Sequence, residues 1–215
     1  MKIYFVRHGQ TIWNRQGIFQ GASLNPSLLE DGKEDIIALG QHLRTIDFDA
    51  IFSSDLTRAL ETAQLINQEN HQPKSIEISP QLREWGLGNL EGKKISLMQA
   101  IYPRQIYAFT HNLSCFNNDI FDAESVYQVT QRIANFVTQL DPKKYDTVLI
   151  VGHGASLAAG IGHLLGYSTA QLRRHGRLDN ASLTILESQD MVNFQLLSWN
   201  DTSHFQVKEE LALTN

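Results

Sequence analysis

The chain of 215 residues has a single cysteine, Cys115, so no disulfide can form within it; that count is compatible with a reducing compartment. Basic residues are also scarce, with 18 Lys and Arg against 23 Asp and Glu and a formal net charge of −5. A nucleic-acid surface normally carries the opposite excess, so no nucleic-acid partner is expected and any phosphate is bound locally. No apolar run approaches the ~20 residues needed to span a bilayer, and the chain begins in strand-like sequence without a charged and apolar leader. A cytoplasmic protein without a membrane partner is therefore expected. There is no internal repeat and no low-complexity tract. With 42% hydrophobic and 19% charged residues, the composition suits one domain, 1–215, built on one substantial core.

What is present begins with Ile3-Tyr4-Phe5-Val6, β-branched or aromatic throughout, which reads as a strand covered on both faces and ends at Arg7-His8-Gly9. In open α/β sheets the carboxyl ends of strands are where ligands bind. The device recurs at Thr147-Val148-Leu149-Ile150-Val151, which runs into Gly152-His153-Gly154. If the two strands are parallel in one sheet, His8 and His153 meet at one edge.

Between these strands, residues 10–26 read as a loop with a short helical turn. Helical spacing of Ile36, Ile37, Leu39, Gly40 and Leu43 predicts a helix over 30–44; a strand follows at 48–54 and a second helix at 55–67, with Ser53, Ser54 and Asp55 as N-cap candidates. A short strand is predicted at 75–79, turns at 82–92, and a helix from 93 to Pro103. Residues 104–122 carry mixed signals, and 93–125 is expected to be an insertion that covers the site. The pattern from Val126 to Leu140 predicts a long helix over 124–140, and 155–165 a small apolar one. Strands are predicted at 183–187 and 192–199, and a loosely held tail over 204–215. Alternating strands and helices favour a sandwich on a mainly parallel sheet, with an antiparallel pair at the end.

Arg7, His8, Arg58, Glu84 and His153 make chemical sense together. Phosphoryl transfer is catalysed mostly by positioning and by dispersed positive charge. Arg7 and Arg58 each offer a planar fork to phosphate oxygens, and Arg58 falls in the first turn of a helix, whose amino end favours anions. His8 can attack phosphorus through one ring nitrogen while a backbone carbonyl near Gly9 holds the other. His153 then stabilises the transferring oxygens. Glu84, if protonated, delivers a proton to the leaving alkoxide and later takes one from water. The other six histidines read as structural, and Cys115 as a buried or partly buried structural thiol.

Arg7-His8-Gly9 with Thr11 and Asn14, the run from Ser53 to Ala63 that contains Arg58, Leu82-Arg83-Glu84 with Gly88 and Glu91-Gly92, and Val151-Gly152-His153-Gly154 together resemble the histidine phosphatase superfamily, also called phosphoglycerate mutase-like. The resemblance implies a three-layer α/β/α fold and a phosphohistidine formed at His8. It also implies a phosphate pocket of Arg7, Arg58 and His153 helped by Asn14, with Glu84 as proton donor and no metal or other cofactor. Gln20, Gly21 and Gly154 are further candidate substrate contacts. Three positions depart from the family pattern: Gln10 stands where glutamate is common, Leu24 where aspartate is frequent, and Ala123 where a glycine often precedes Glu-Ser. They bear on substrate contacts more than on catalysis.

Mutases of this family hold a phosphorylated acid with basic residues in the insertion, but across 95–131 the only Lys or Arg here is Arg104. Hydrolysis of a small phosphorylated metabolite is therefore favoured, with phosphoglycerate mutase-type transfer or a non-catalytic phospholigand-binding module as alternatives. Other chemistries lack their signatures. Phe121 stands where a cysteine-based phosphatase needs arginine six positions after Cys115, Leu87 replaces the first P-loop glycine before Gly92-Lys93, and there is no HExxH. Oligomeric state is left open.

Overall fold

The computed structural model describes residues 1–205. Six strands, β1 (Lys2–Arg7), β2 (Ala50–Ser53), β3 (Ile76–Ile78), β4 (Thr147–Gly152), β5 (Leu183–Glu187) and β6 (Gln195–Asp201), form one sheet in the order β3-β2-β4-β1-β5-β6. The pairs β3–β2, β2–β4 and β4–β1 are parallel; β1–β5 and β5–β6 are antiparallel. The fold is α/β with a mainly parallel sheet, as predicted.

Alternation along the central strands builds the layers. Ile3, Phe5, Ala50, Phe52, Val148 and Ile150 point to one face and pack against α6 (Val126–Thr138) and α7 (Gly154–Leu164) through Ile133, Val137, Leu157 and Ile161. Val6, Ile51, Leu149 and Val151 point to the other, against α2 (Glu30–Leu43) and α3 (Thr57–Glu69) through Ile36, Leu39, Ala63 and Ile66. Both faces of β1 and β4 are thus buried, which is why these strands read as continuous apolar runs.

A third apolar cluster draws mainly on residues between 85 and 121. Trp85, Leu90, Met98, Ile106, Phe109, Phe116 and Phe121 are buried together there. As predicted, the first helix of this stretch, α4 (Ile95–Ile101), stops ahead of Pro103; the proline then opens a second, α5 (Pro103–His111). A proline has no N–H to lose at a helix's first position, so it serves as a start signal as readily as a stop.

Other boundaries also moved. α3 is capped at its amino end by Leu56 without a side-chain bond; Ser54 and Asp55 have other partners, His153 and Arg83. α1 (Ile12–Gln16) and α6 do carry capping boxes, Thr11 with Asn14 and Ser125 with Gln128. β6 begins at Gln195 rather than 192, after a turn in which Asp190 accepts from the N–H groups of Val192 and Asn193. Cys115 is exposed, not buried, because it lies in a turn of 3₁₀ helix whose buried member is Leu113. Of the tail predicted over 204–215, His204 is buried instead, and 206–215 lie outside the described residues.

Candidate active site

The parallel register puts the ends of β2, β4 and β1 side by side: Ser53 pairs with Val151, and Arg7 with Gly152. One residue further along each strand come Ser54, His153 and His8. The His8 N–H donates to the Gly152 carbonyl at 2.9 Å and the Ser54 N–H to the Val151 carbonyl at 3.0 Å, so the ladder continues to the histidines. Both imidazoles are buried, at 2% and 0% exposure, with ring centroids 5.2 Å apart.

The His8 Nδ1 lies 2.8 Å from the Gly9 carbonyl and donates to it, which leaves the proton off Nε2. Burial first, and then the charges of Arg58 and Arg7, hold the His8 pKa well below the usual histidine value, so the ring is neutral. His153 is lowered in the same way, by burial and then by Arg58, His8 and Arg7. Its Nε2 is 2.8 Å from the Ser54 hydroxyl, which also accepts from the Leu56 N–H at 3.3 Å. The Ser54 hydroxyl thus occupies Nε2 and leaves Nδ1 as the ring nitrogen without a partner among the described residues.

Each arginine is held from behind by backbone carbonyls. Arg58 donates through Nη1 to Leu24 and through Nη2 to Gly21, both at 2.8 Å. That loop is itself tied down by Glu91, whose carboxylate accepts from the N–H groups of Ala22, Ser23 and Leu87 at 3.0 Å each. Gly21 has φ +63, and a Cβ there would lie 2.1 Å from the Glu91 carboxylate, so only glycine suits the turn. Arg7 donates through Nη1 to the Leu178 carbonyl. Desolvation lowers both guanidinium pKa values, that of Arg58 to about 10, and Glu84 opposes the shift in each. Arg7 Nε, Arg58 Nε and His153 Nδ1 are buried with no hydrogen-bond partner among the described residues. Buried polar nitrogens are normally paired, and here two guanidinium nitrogens and one imidazole nitrogen are not.

The Glu84 carboxylate stands at the amino end of α7. Oε1 accepts from the Trp85 and Ser156 N–H groups at 2.8 Å each, and Oε2 from Ala155 at 3.1 Å. It thereby satisfies two amides that a helix start leaves without partners, and Oε2, with one bond, keeps a free position for a proton. The segment that carries Glu84 is braced by Glu124: its N–H donates to the Gly86 carbonyl at 2.7 Å, its carbonyl accepts from Trp85 Nε1 at 2.7 Å, and its carboxylate takes the Gly86 N–H and the Arg132 guanidinium.

The structure therefore gathers Arg7, His8, Arg58, Glu84 and His153. Gly154 touches Arg7, since a Cβ there would lie 2.9 Å from Arg7 Nε. Asn14 sits at the rim, its Oδ1 accepting from Thr11 and from Asn180 Nδ2. Gln20 is buried, but among the described residues no hydrogen bond ties its side chain to the cluster. Three members of the site were not singled out from sequence. Ser54 was read as a cap candidate. Asn180, which bonds the His8 and Gly9 carbonyls, arrives through the β1–β5 pairing, and Arg173 has no local signal at all. Among the described residues no cluster of His, Cys, Asp and Glu could hold a metal ion, and no helix is long and apolar enough to cross a membrane.

Residues 3–202 match the sequence model of the histidine phosphatase superfamily, branch 1. The chain belongs to that superfamily. Among its relatives is a metal-independent phosphoserine phosphatase of Arabidopsis thaliana, 32% identical over 208 residues that cover 94% of this chain and 82% of that one. A probable phosphoglycerate mutase GpmB of Erwinia tasmaniensis is 30% identical over 190 residues, 88% and 86% of the two chains. Of solved structures, Bacillus stearothermophilus YhfR superposes with a TM-score of 0.84 at 28% identity, covering 94% of this chain and 98% of its own. This member of the histidine phosphatase superfamily thus has both phosphatase- and mutase-named relatives.

Proposed function

We propose that the protein hydrolyses small phosphomonoesters through a phosphohistidine at His8, without a metal. The observation that carries the reading is the set of buried, unpartnered nitrogens, Arg7 Nε, Arg58 Nε and His153 Nδ1, beside a neutral imidazole whose Nε2 bears a lone pair. Phosphoryl oxygens supply the acceptors that the guanidinium nitrogens require.

The His8 Nε2 lone pair forms a bond to phosphorus as the bond to the ester oxygen breaks. Charge on the equatorial oxygens is met by the two guanidiniums and by His153. Glu84 gives its proton to the departing alkoxide, then as a carboxylate takes one from the water that attacks the phosphohistidine. The P–N bond breaks, inorganic phosphate leaves, and His8 and Glu84 return to their starting states. Asn180 fixes the His8 and Gly9 carbonyls, and through Gly9 the orientation of the imidazole. Residues 93–125, with their own apolar cluster, are read as the cover over the leaving-group side of a single domain, and the setting as the cytoplasm, where phosphorylated metabolites are abundant.

The mutase reading has one specific support, the GpmB-named relatives; against it stands the scarcity of Lys and Arg across 95–131. Hydrolysis of para-nitrophenyl phosphate between pH 5 and 8, with and without EDTA, tests the proposal on wild type and His8→Ala. Turnover that survives EDTA and vanishes in the variant is expected. Activity abolished by EDTA overturns the metal-free mechanism. A stable phosphohistidine that transfers to phosphoglycerate rather than to water supports the mutase, and phosphate affinity without turnover a binding module.

A further inference from the structure

The proton donor marks the side from which the alcohol leaves, and one cation on that side takes no part in the mechanism above. Arg173 lies over the faces of Trp85 and Phe109, its guanidinium carbon 5.8 and 5.4 Å from the two ring centroids. Its Nε donates to the Phe109 carbonyl and its Nη1 to the Ala155 carbonyl, each at 3.2 Å. Trp85 and Ala155 are residues whose N–H groups bond the Glu84 carboxylate. Arg173 is thus placed next to Glu84 from two directions, and the Glu84 charge acts on it directly. The guanidinium is enclosed deeply enough for desolvation to lower its pKa to about 10, yet the residue keeps part of its surface open to solvent.

Nε and Nη1 tie α5 of the insertion to the first turn of α7, which accounts for two of the three nitrogens. Nη2 has no hydrogen-bond partner among the described residues. That nitrogen is a cationic donor beside the proton donor, on the leaving-group side, and an anionic acceptor carried by the departing alcohol is the partner that suits it. We propose that Arg173 selects substrates whose alcohol carries a carboxylate, binding it through Nη2 beside Glu84. The inference rests on the phosphatase reading of the same pocket and narrows its substrate class to phosphorylated hydroxy or amino acids. A single free nitrogen suits a carboxylate better than a second phosphate, whose oxygens call for several donors.

The decisive comparison uses 3-phosphoglycerate and glycerol 3-phosphate, which differ only in a carboxylate against a hydroxymethyl group. Wild type is expected to prefer the former in kcat/KM by about 10–100-fold, the value of a hydrogen bond to a charged partner. In Arg173→Gln the ratio should fall to near one, whatever happens to the absolute rates, and Arg173→Lys should recover part of it. A purely structural clamp would lower both substrates by the same factor and keep the ratio, which overturns the proposal. So does a wild-type ratio near one, a result that needs no variant to fold. If wild type turns over neither compound nor para-nitrophenyl phosphate, the hydrolase reading fails, and calorimetric binding of the same two compounds decides this proposal by the ratio of their Kd values.

Discussion

Glu124→Gln probes the brace behind Glu84. In the native structure Arg132 Nε and Nη2 bond the two Glu124 oxygens at 3.0 and 2.8 Å, and Oε2 also accepts the Gly86 N–H at 3.1 Å. An amide offers one oxygen and one NH₂, so whichever way it turns, an N–H faces an N–H. The side chains of the pair are 19% and 22% exposed. Their loss should therefore cost more than the 0–1 kcal/mol typical of surface pairs and less than the 3–5 of fully buried ones, about 2 kcal/mol. For a chain of this size that corresponds to a Tm lower by about 4–8 °C. Arg132 also bonds the carbonyls of Gln81 and Arg83, so loosening it shifts the strip that carries Glu84. A displaced proton donor should lower kcat by about 10–100-fold with KM little changed, since Arg7 and Arg58 lie outside the brace. Urea unfolding and steady-state hydrolysis of para-nitrophenyl phosphate measure the two effects, and a double-mutant cycle with Arg132→Met should return a coupling of about 1–3 kcal/mol. A coupling below about 0.5 kcal/mol with wild-type kcat would refute the brace.

Gly160→Ala sets a Cβ 2.3 Å from the Ile133 Cγ2 where α7 crosses α6; a loss of about 1–3 kcal/mol in urea unfolding is expected from overpacking. Gly154→Ala crowds Arg7, whose Cδ and Cζ would lie 3.1 Å from the new methyl group, so the KM for a phosphomonoester should rise by about tenfold or more through loss of a charged hydrogen bond, with unfolding free energy measured in parallel. His204 is held neutral by burial, and next by His42, with its pKa lowered to about 4 against the opposing pull of Asp201 and a backbone bond at Ala181. Because the folded value lies below the unfolded one, protons favour the unfolded chain, and stability falls as pH drops from 6.5 towards 4. At pH 5 this amounts to about 1–2 kcal/mol, and His204→Asn should flatten the slope of unfolding free energy against pH relative to wild type. An unchanged slope would contradict the assignment.

How much of this was legible in the sequence follows from how local each feature is. Strand β1, its end at Arg7-His8-Gly9, the bond from His8 to the next residue's carbonyl, and the amphipathic runs of α2, α3 and α6 depend on a few neighbouring residues. Pattern and backbone geometry therefore determined them, and the family motifs marked five site residues that the fold brings together. Residues 104–122 resisted because their apolar positions serve a core of their own around Trp85 and Phe109, with short elements and no long period. The rest only the tertiary structure decided. Ser54 and His153 are 99 residues apart, and Asn180 is 172 from the His8 carbonyl it bonds. Their meeting depends on β2, β4, β1 and β5 being neighbours in one sheet. Arg173 makes the point most plainly. Its own stretch of sequence carries no signal of a site, and it stands beside Glu84 only because α5 and α7 hold it there.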